Sequence, residues 1–262
     1  MEKTRFFYMA AITAALGMTL TIMSCKKNCN DDEDPTPLDG VNVGLVAHYK
    51  FNGDISDATG NGNNGINYGA SFVSDRHGNS SKALSFNGNG NYALVPTSST
   101  LTVDGDVSVC FWMRKGTNNL SSIGIPISKR NGSDQQQHFN VVIDSQRGIS
   151  FQYSGEGAPS PYYDIMYPVN GVYGILNDGN WHFVVFTHTY GTRANDRLYI
   201  DDILYSVKYP NWHNSFSYSA FTDAPLTFGR QLSQDYYNGL LDDVRIYKKI
   251  LTANEINTLY HE

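Results

Sequence analysis

Short runs that alternate apolar and polar residues, cut every few positions by Gly, Asn and Asp, recur along most of this chain. Val107-Ser-Val109-Cys-Phe111-Trp-Met113-Arg alternates with period two, and residues 83–86 and 92–95 flank the turn Asn87-Gly88-Asn89-Gly90-Asn91. Further runs cover 43–51, 138–143, 149–153, 181–189, 197–200, 203–208, 226–228 and 240–247. Period two puts successive side chains on opposite faces of a strand, and many short strands between turn residues predict an antiparallel sandwich or barrel. The 18 Tyr and 13 Phe suit strands better than helices. One stretch has helical period. Thr252 with Glu255 three residues later forms a capping box, and Ile256, Leu259 and Tyr260 then share one face. No repeat of about 20–50 residues is present.

The N-terminus is different in kind. Lys3 and Arg5 precede an apolar run over 6–23, broken by Thr13, Gly17, Thr19 and Thr21, that ends Ile22-Met23-Ser24-Cys25. A charged start, an apolar middle and a small residue before the cut is the signal-peptide pattern. The alternative is an uncleaved anchor, for which about 18 residues is borderline. The interruptions and the Cys favour cleavage. The last four residues resemble a bacterial lipobox, which implies a lipoprotein signal peptide over 1–24 and a lipid on Cys25. Residues 26–40 have almost no apolar content and read as a flexible tether. Its acidic group Asp31, Asp32, Glu33, Asp34 resembles the surface-export signal of lipoproteins in the Bacteroides group; the other reading is a plain soluble linker. The expected location is the bacterial outer membrane, lipid-anchored and exposed at the cell surface.

Residues 41–262 show no dividing Pro/Ser/Gly linker and are read as one domain. The precursor carries −6; removing Glu2, Lys3 and Arg5 with the signal takes away +1 and leaves −7. An acidic chain with no basic cluster argues against nucleic acid. Its three Cys, at 25, 29 and 110, form neither a disulfide framework nor a zinc spacing.

Three stretches together resemble the concanavalin A-like lectin/glucanase superfamily, in its laminin G-like, pentraxin-like form. They are Leu45 to Gly65 followed by Ala83-Leu-Ser-Phe86-Asn-Gly88; Asp178-Gly-Asn-Trp181-His182-Phe-Val-Val-Phe186 with Arg197-Leu-Tyr-Ile-Asp201-Asp202; and Leu226-Thr-Phe228-Gly229, Asn238-Gly239-Leu-Leu-Asp242-Asp243-Val244-Arg245-Ile246-Tyr247 and Leu251 to Ile256. The resemblance implies an all-β, two-sheet antiparallel jelly-roll sandwich with a short C-terminal helix. In the last strand, Asp242, Val244 and Ile246 are expected to share the core face. The resemblance also implies a structural Ca2+ held by Asp242, Asn52, the Gly53 carbonyl and Asp54, with Asp57 as a further ligand; oxygen donors of this kind suit that ion. The plain alternative is that these residues only make turn hydrogen bonds.

Glycosidases need a pair of carboxylates flanking the scissile bond. After Cys25 the glutamates are Glu33, Glu156, Glu255 and Glu262, and none pairs with another along a strand. Adjacent Asp201-Asp202 and Asp242-Asp243 would face opposite ways in a strand, and the first pair also suits a hairpin turn. No Gly-x-Ser-x-Gly elbow or phosphate loop occurs. An enzyme is therefore not expected, and a glycoside hydrolase is the least favoured reading. Two aromatic stretches read as loops by their Pro, Gly and Asn content: Tyr162-Tyr163-Asp-Ile-Met-Tyr167 to Tyr173, and Tyr209 to Tyr218 with Trp212, His213 and Phe216. Loops on a rigid scaffold carry binding, so Tyr162, Tyr163, Tyr167, Trp212, His213 and Phe216 are candidate ligand contacts; alternatively they plug the ends of the sandwich. The expected function is non-catalytic glycan recognition or adhesion on a cell surface. The alternative is protein docking by a structural surface component.

Overall fold

The computed structural model describes residues 40–102, 105–116, 123–130, 137–153, 164–170, 172–189, 192–209, 224–231 and 235–262. Residues 1–39, with Cys25 and the tether, lie outside these, as do Tyr162, Tyr163, Trp212, His213 and Phe216.

The regular structure of the described residues is almost all strand. In chain order these are β1 (Leu45–Tyr49), β2 (Ile66–Tyr68), β3 (Ser71–Val73), β4 (Ala83–Asn87), β5 (Tyr92–Val95), β6 (Val107–Lys115), β7 (Gly124–Arg130) and β8 (Gln137–Asp144). They continue with β9 (Gly148–Tyr153), β10 (Asp164–Pro168), β11 (His182–His188), β12 (Arg197–Ile200), β13 (Ile203–Tyr205), β14 (Val207–Lys208), β15 (Leu226–Phe228) and β16 (Asn238–Tyr247). The first sheet runs β13-β12-β11-β6-β16-β4-β3, with β1 also pairing β16. The second runs β14-β10-β9-β8-β7-β15-β5-β2. Alternate side chains of both sheets meet between them, among them Leu84, Phe86, Val109, Phe111, Ile127, Val141, Phe151, Phe186 and Phe228. This is the antiparallel sandwich that the period-two runs predict.

Two helices are present among the described residues: a single turn, α1 (Tyr173–Leu176), and α2 (Ala253–Tyr260). Helix α2 starts where expected. Thr252 Oγ1 accepts the Glu255 N–H, and the Glu255 carboxylate accepts the Thr252 N–H at 2.8 Å. Its Ile256 and Leu259 pack on Cys110, Trp112, Phe183, Val185 and Tyr247, the outward residues of the first sheet.

Two strands run through segments in which proline reads as a breaker. In β7, Pro126 falls at a register shift between Gly124 and Ile127, where a missing N–H leaves no gap in the ladder. In β10, Pro168 is the terminal residue, paired with Val207. Tyr167, expected on a loop, is therefore a strand residue. A bulge in β16 changes another expectation. Asp243 has φ +51, and the pairing with β6 shifts between Asp242 and Arg245. Leu241, Val244 and Ile246 consequently face the core, while Asp242 sits opposite Trp112 on the outward face. The extra residue flips the face of everything before it.

Candidate functional site

The site residues expected from the sequence can be placed one by one. Phe51 holds φ +50 and is buried against Phe228, with ring centroids 5.5 Å apart. The Gly53 N–H closes the turn onto the Phe51 carbonyl at 2.8 Å, and φ +83 at Gly53 suits glycine. Asn52, Gly53 and Asp54 are exposed, and Asp54 Oδ1 accepts the Ser56 N–H. Asp57 is buried and fully occupied. It accepts N–H groups from His48, Thr59 and Asn63 and the Thr59 hydroxyl. Burial works against its charge, but these donors hold the Asp57 carboxyl below the usual carboxylate range.

Asp242 takes a 2.7 Å hydrogen bond from Arg76 Nη1, and the same guanidinium lies 4.8 Å from the centroid of the Trp112 ring. Burial pushes the Asp242 carboxyl up to about 6 in spite of Arg76. Its neighbour goes the other way. Asp243 is also buried, but a hydrogen bond to His48 and the charge of Arg245 bring it down to about 2. Both carboxylates are thus spent on guanidinium and imidazole partners. Among the described residues no group of three or more Asp, Glu, His or Cys is arranged to hold a metal. A calcium ion takes about six to eight oxygens. As arranged, Asp57 already accepts four hydrogen bonds while Asp242 Oδ2 holds Arg76, so these two carboxylates would have to give up partners to join such a site.

The other carboxylate pair makes a turn. Asp201 and Asp202 both have positive φ, +52 and +63, and link β12 to β13 as a two-residue hairpin. Asp201 Oδ1 accepts the Phe183 N–H, and its other oxygen meets His182 Nδ1 at 2.7 Å. His182 Nε2 reaches Asp178 at 3.0 Å. The hydrogen bond to Asp201 outweighs burial and raises the His182 pKa. His182 is therefore a structural staple.

The outer face of the second sheet is built differently. Register alignment places Ile66, Leu94, Thr227, Ser128, Asn140, Gln152 and Ile165 in one cross-strand row from β2 to β10. All point away from the core, because their strand neighbours point into it. The middle of the row is buried and polar. Ser128 Oγ lies 2.6 Å from Asn140 Oδ1, and Asn140 Nδ2 donates to Gln231 at 3.0 Å. A network that satisfies itself stiffens a sheet and needs no ligand.

The two ends of this face carry aromatic rings beside cations. At one end Tyr167 is half-buried, with Lys208 Nζ 5.2 Å and Arg147 Cζ 5.7 Å from its ring centroid. At the other, Tyr68 and Tyr92 are cross-strand partners with rings 4.6 Å apart and 11° from parallel. Arg230 Cζ stands 3.2 Å from the Tyr92 centroid. Groups of that size at those distances must lie on opposite faces of Tyr92, so Arg230, Tyr92 and Tyr68 form a stack whose outermost ring is Tyr68, 43% exposed. Ile66 beside it is 50% exposed. Gly229 aims Arg230: it has φ +88, and a Cβ there would collide with the Phe86 ring. An exposed aromatic face of this kind can stack on the C–H face of a sugar, with Arg230 holding Tyr92 from beneath by a cation–π contact.

Tyr68 and Tyr92 are not among the residues that the sequence picked out. The signal was faint: β2 is three residues between Gly65 and Gly69, and only the alternation in Tyr92-Ala93-Leu94-Val95 turns Tyr92 outward.

A laminin G family model, described as concanavalin A-like lectin/glucanases superfamily, matches residues 87–257. The chain belongs to that superfamily. No curated protein matches it. Among solved structures it is similar to the binding domain of Paraclostridial Mosquitocidal Protein 1, at 16% identity and TM-score 0.66, covering 84% of this chain and 52% of that one. The botulinum neurotoxin serotype D binding domain is similar at 16% identity and TM-score 0.62, covering 85% of this chain and 52% of that one. This laminin G-like chain thus spans about half the length of those toxin domains. Domain 4 of AbnA, a GH43 extracellular arabinanase from Geobacillus stearothermophilus, solved in complex with arabinotriose, is similar at 21% identity and TM-score 0.57. That match covers 82% of this chain and 98% of the arabinanase domain. Identities this low carry the fold alone.

Proposed function

We propose that this laminin G-like chain is a non-catalytic glycan-recognition module, displayed on a bacterial outer membrane through a lipid on Cys25. The observation that carries the binding reading is the exposed Tyr68 ring, stacked on Tyr92 and backed by Arg230. A large exposed aromatic on a rigid sheet needs a reason, and a ligand supplies one. The described glutamates support the absence of catalysis, since Glu255 and Glu262 are held by Lys249 and Arg245 rather than facing each other as a carboxylate pair. The similarity to a domain solved with arabinotriose and to toxin binding domains is consistent with a binding role.

A glycan array probed with the full chain, alongside a hydrolysis screen on the same glycans, tests this reading. Binding without hydrolysis is expected; hydrolysis, or no binding to any glycan, contradicts it. A second reading, docking to a protein, has one observation in its favour. Edge strand β13 exposes Ile203 at 59% and Leu204 at 53%, and an open edge invites another strand. Loss of partner capture in Leu204→Lys, with glycan binding intact, would identify that role.

A further inference from the structure

A cleft of about 600 Å³ opens on the other side of the molecule, away from the Tyr68 stack. Its walls are the turn before β1, β1 itself, the Ala58–Asn61 turn and the end of β16. The size lies within the range of about 300–1,000 Å³ that small ligands occupy. At its base is Arg245, 8% exposed. The Nε of Arg245 faces His48 Nε2 at 3.1 Å, and its Nη2 holds Asp243 at 3.2 Å and the Glu262 carboxylate. Among the described residues Nη1 has no hydrogen-bond partner. The Tyr247 hydroxyl, also on this lining, is buried and unpartnered. Lys50 stands exposed on the rim with no ion-pair partner among the described residues.

The carboxylates behind the cleft are paired. Asp243 is held by His48, Arg76 and Arg245, and Asp242 by Arg76. Glu262 has Arg245 alone and is the more exposed carboxylate, its side chain 27% accessible. On the lining itself the formally charged side chains are Lys50, Arg245 and Glu262, with Asp243 and Asp57 held behind it by their own partners. If Glu262 swings out to water, Arg245 is left with Nη1 and one Nη2 hydrogen to donate and Lys50 remains on the rim, two cationic groups that a carboxylate can bridge. The remaining lining is mixed. The Asn61 side-chain carbonyl offers a hydroxyl partner, while Val41, Leu45 and Ala58 offer an apolar wall. That combination suits a hydroxylated ring bearing one carboxylate.

We propose that this cleft is a second binding site, one that takes a uronic acid unit of an acidic glycan, with its carboxylate between Lys50 and Arg245 in the place Glu262 now holds. The proposal stands independently of the Tyr68 stack, which lies on the opposite sheet. Calorimetric titration of the full chain with trigalacturonate, galactotriose and succinate tests it. Trigalacturonate is expected to bind, more weakly as salt is raised, and the neutral trisaccharide and the sugar-free dicarboxylate at least tenfold more weakly. Lys50→Ala should cost at least tenfold in trigalacturonate affinity with an unchanged unfolding midpoint, because Lys50 is exposed. Glu262→Gln should tighten binding several-fold, and Tyr68→Ala should leave it unchanged. Equal affinity for galactotriose or succinate, no binding of trigalacturonate, or less than a twofold effect of Lys50→Ala overturns the proposal.

Discussion

On the outer side of the first sheet, Cys110, Trp112, Phe183, Val185 and Tyr247 lie beneath helix α2 and residue Val41. On the outer side of the second, Thr227, Ser128 and Asn140 occupy the corresponding middle, and aromatic rings flanked by cations stand at both ends. The strands are alike in period, and their inner faces interlock in one core. The residues that alternate outward make the difference. Where they are apolar, the chain covers them with its own C-terminal helix. Where they are polar and aromatic, the sheet has no helix on it among the described residues, and its exposed rings are available to something else. One face is largely covered by the chain's own helix; the other keeps the exposed Tyr68 ring at one end.

The largest expected effect falls on the covered face. Trp112 stacks on Tyr260 of α2 at 5.6 Å and 14°, and it contacts Phe183. Trp112→Ala should cost ~3–5 kcal/mol of stability, read by denaturant unfolding, because the helix cannot collapse into the space left. A loss below ~1 kcal/mol would mean that α2 is not part of the cooperative fold. Thr252→Ala removes the cap of the same helix and should cost about 1 kcal/mol.

The pH dependence sharpens the comparison, since the staple at His182 belongs to the first sheet alone. Its raised pKa means that its stabilising contribution is whole below about pH 6.5, the unfolded value. That contribution is lost as pH rises through the folded value. The unfolding midpoint should therefore fall as pH climbs above 6.5, and His182→Gln should flatten that slope. Asp242, raised to about 6, works in the same direction, but in the window between its unfolded value near 4 and pH 6. The smallest effect concerns calcium. With Asp57 accepting four hydrogen bonds and Asp242 Oδ2 held by Arg76, chelation is expected to move the midpoint by less than about 1 °C; a larger drop would mean that calcium stabilises the native state.

The strands were legible from the sequence where apolar and polar residues alternate, as in β6 and in the Val244–Tyr247 end of β16, and the capping box at Thr252 located α2. Pro126 and Pro168 hid β7 and β10, because a proline at a bulge or a strand end looks the same in sequence as one in a loop. The doubled residue at Asp242–Asp243 reversed the expected face of Asp242, since a bulge leaves no mark in a two-residue period. Within the candidate site, Tyr167 was named for its aromatic neighbourhood but placed on a loop. Tyr68 was missed, because the stack it heads is completed by Tyr92, its cross-strand partner, and by Arg230 on the far side of Tyr92. Cross-strand neighbours separated by 24 and 162 positions cannot be read from local pattern.

The central claim is that the second sheet's exposed end is a sugar-stacking platform, and Tyr68→Ala tests it most directly. Tyr68 is exposed, so truncating it should leave the unfolding midpoint near that of the unaltered chain. The account predicts that titration with the best glycan from the array shows at least a tenfold loss of affinity in Tyr68→Ala, largely restored in Tyr68→Trp. Unchanged affinity in Tyr68→Ala, with the fold intact, would contradict it.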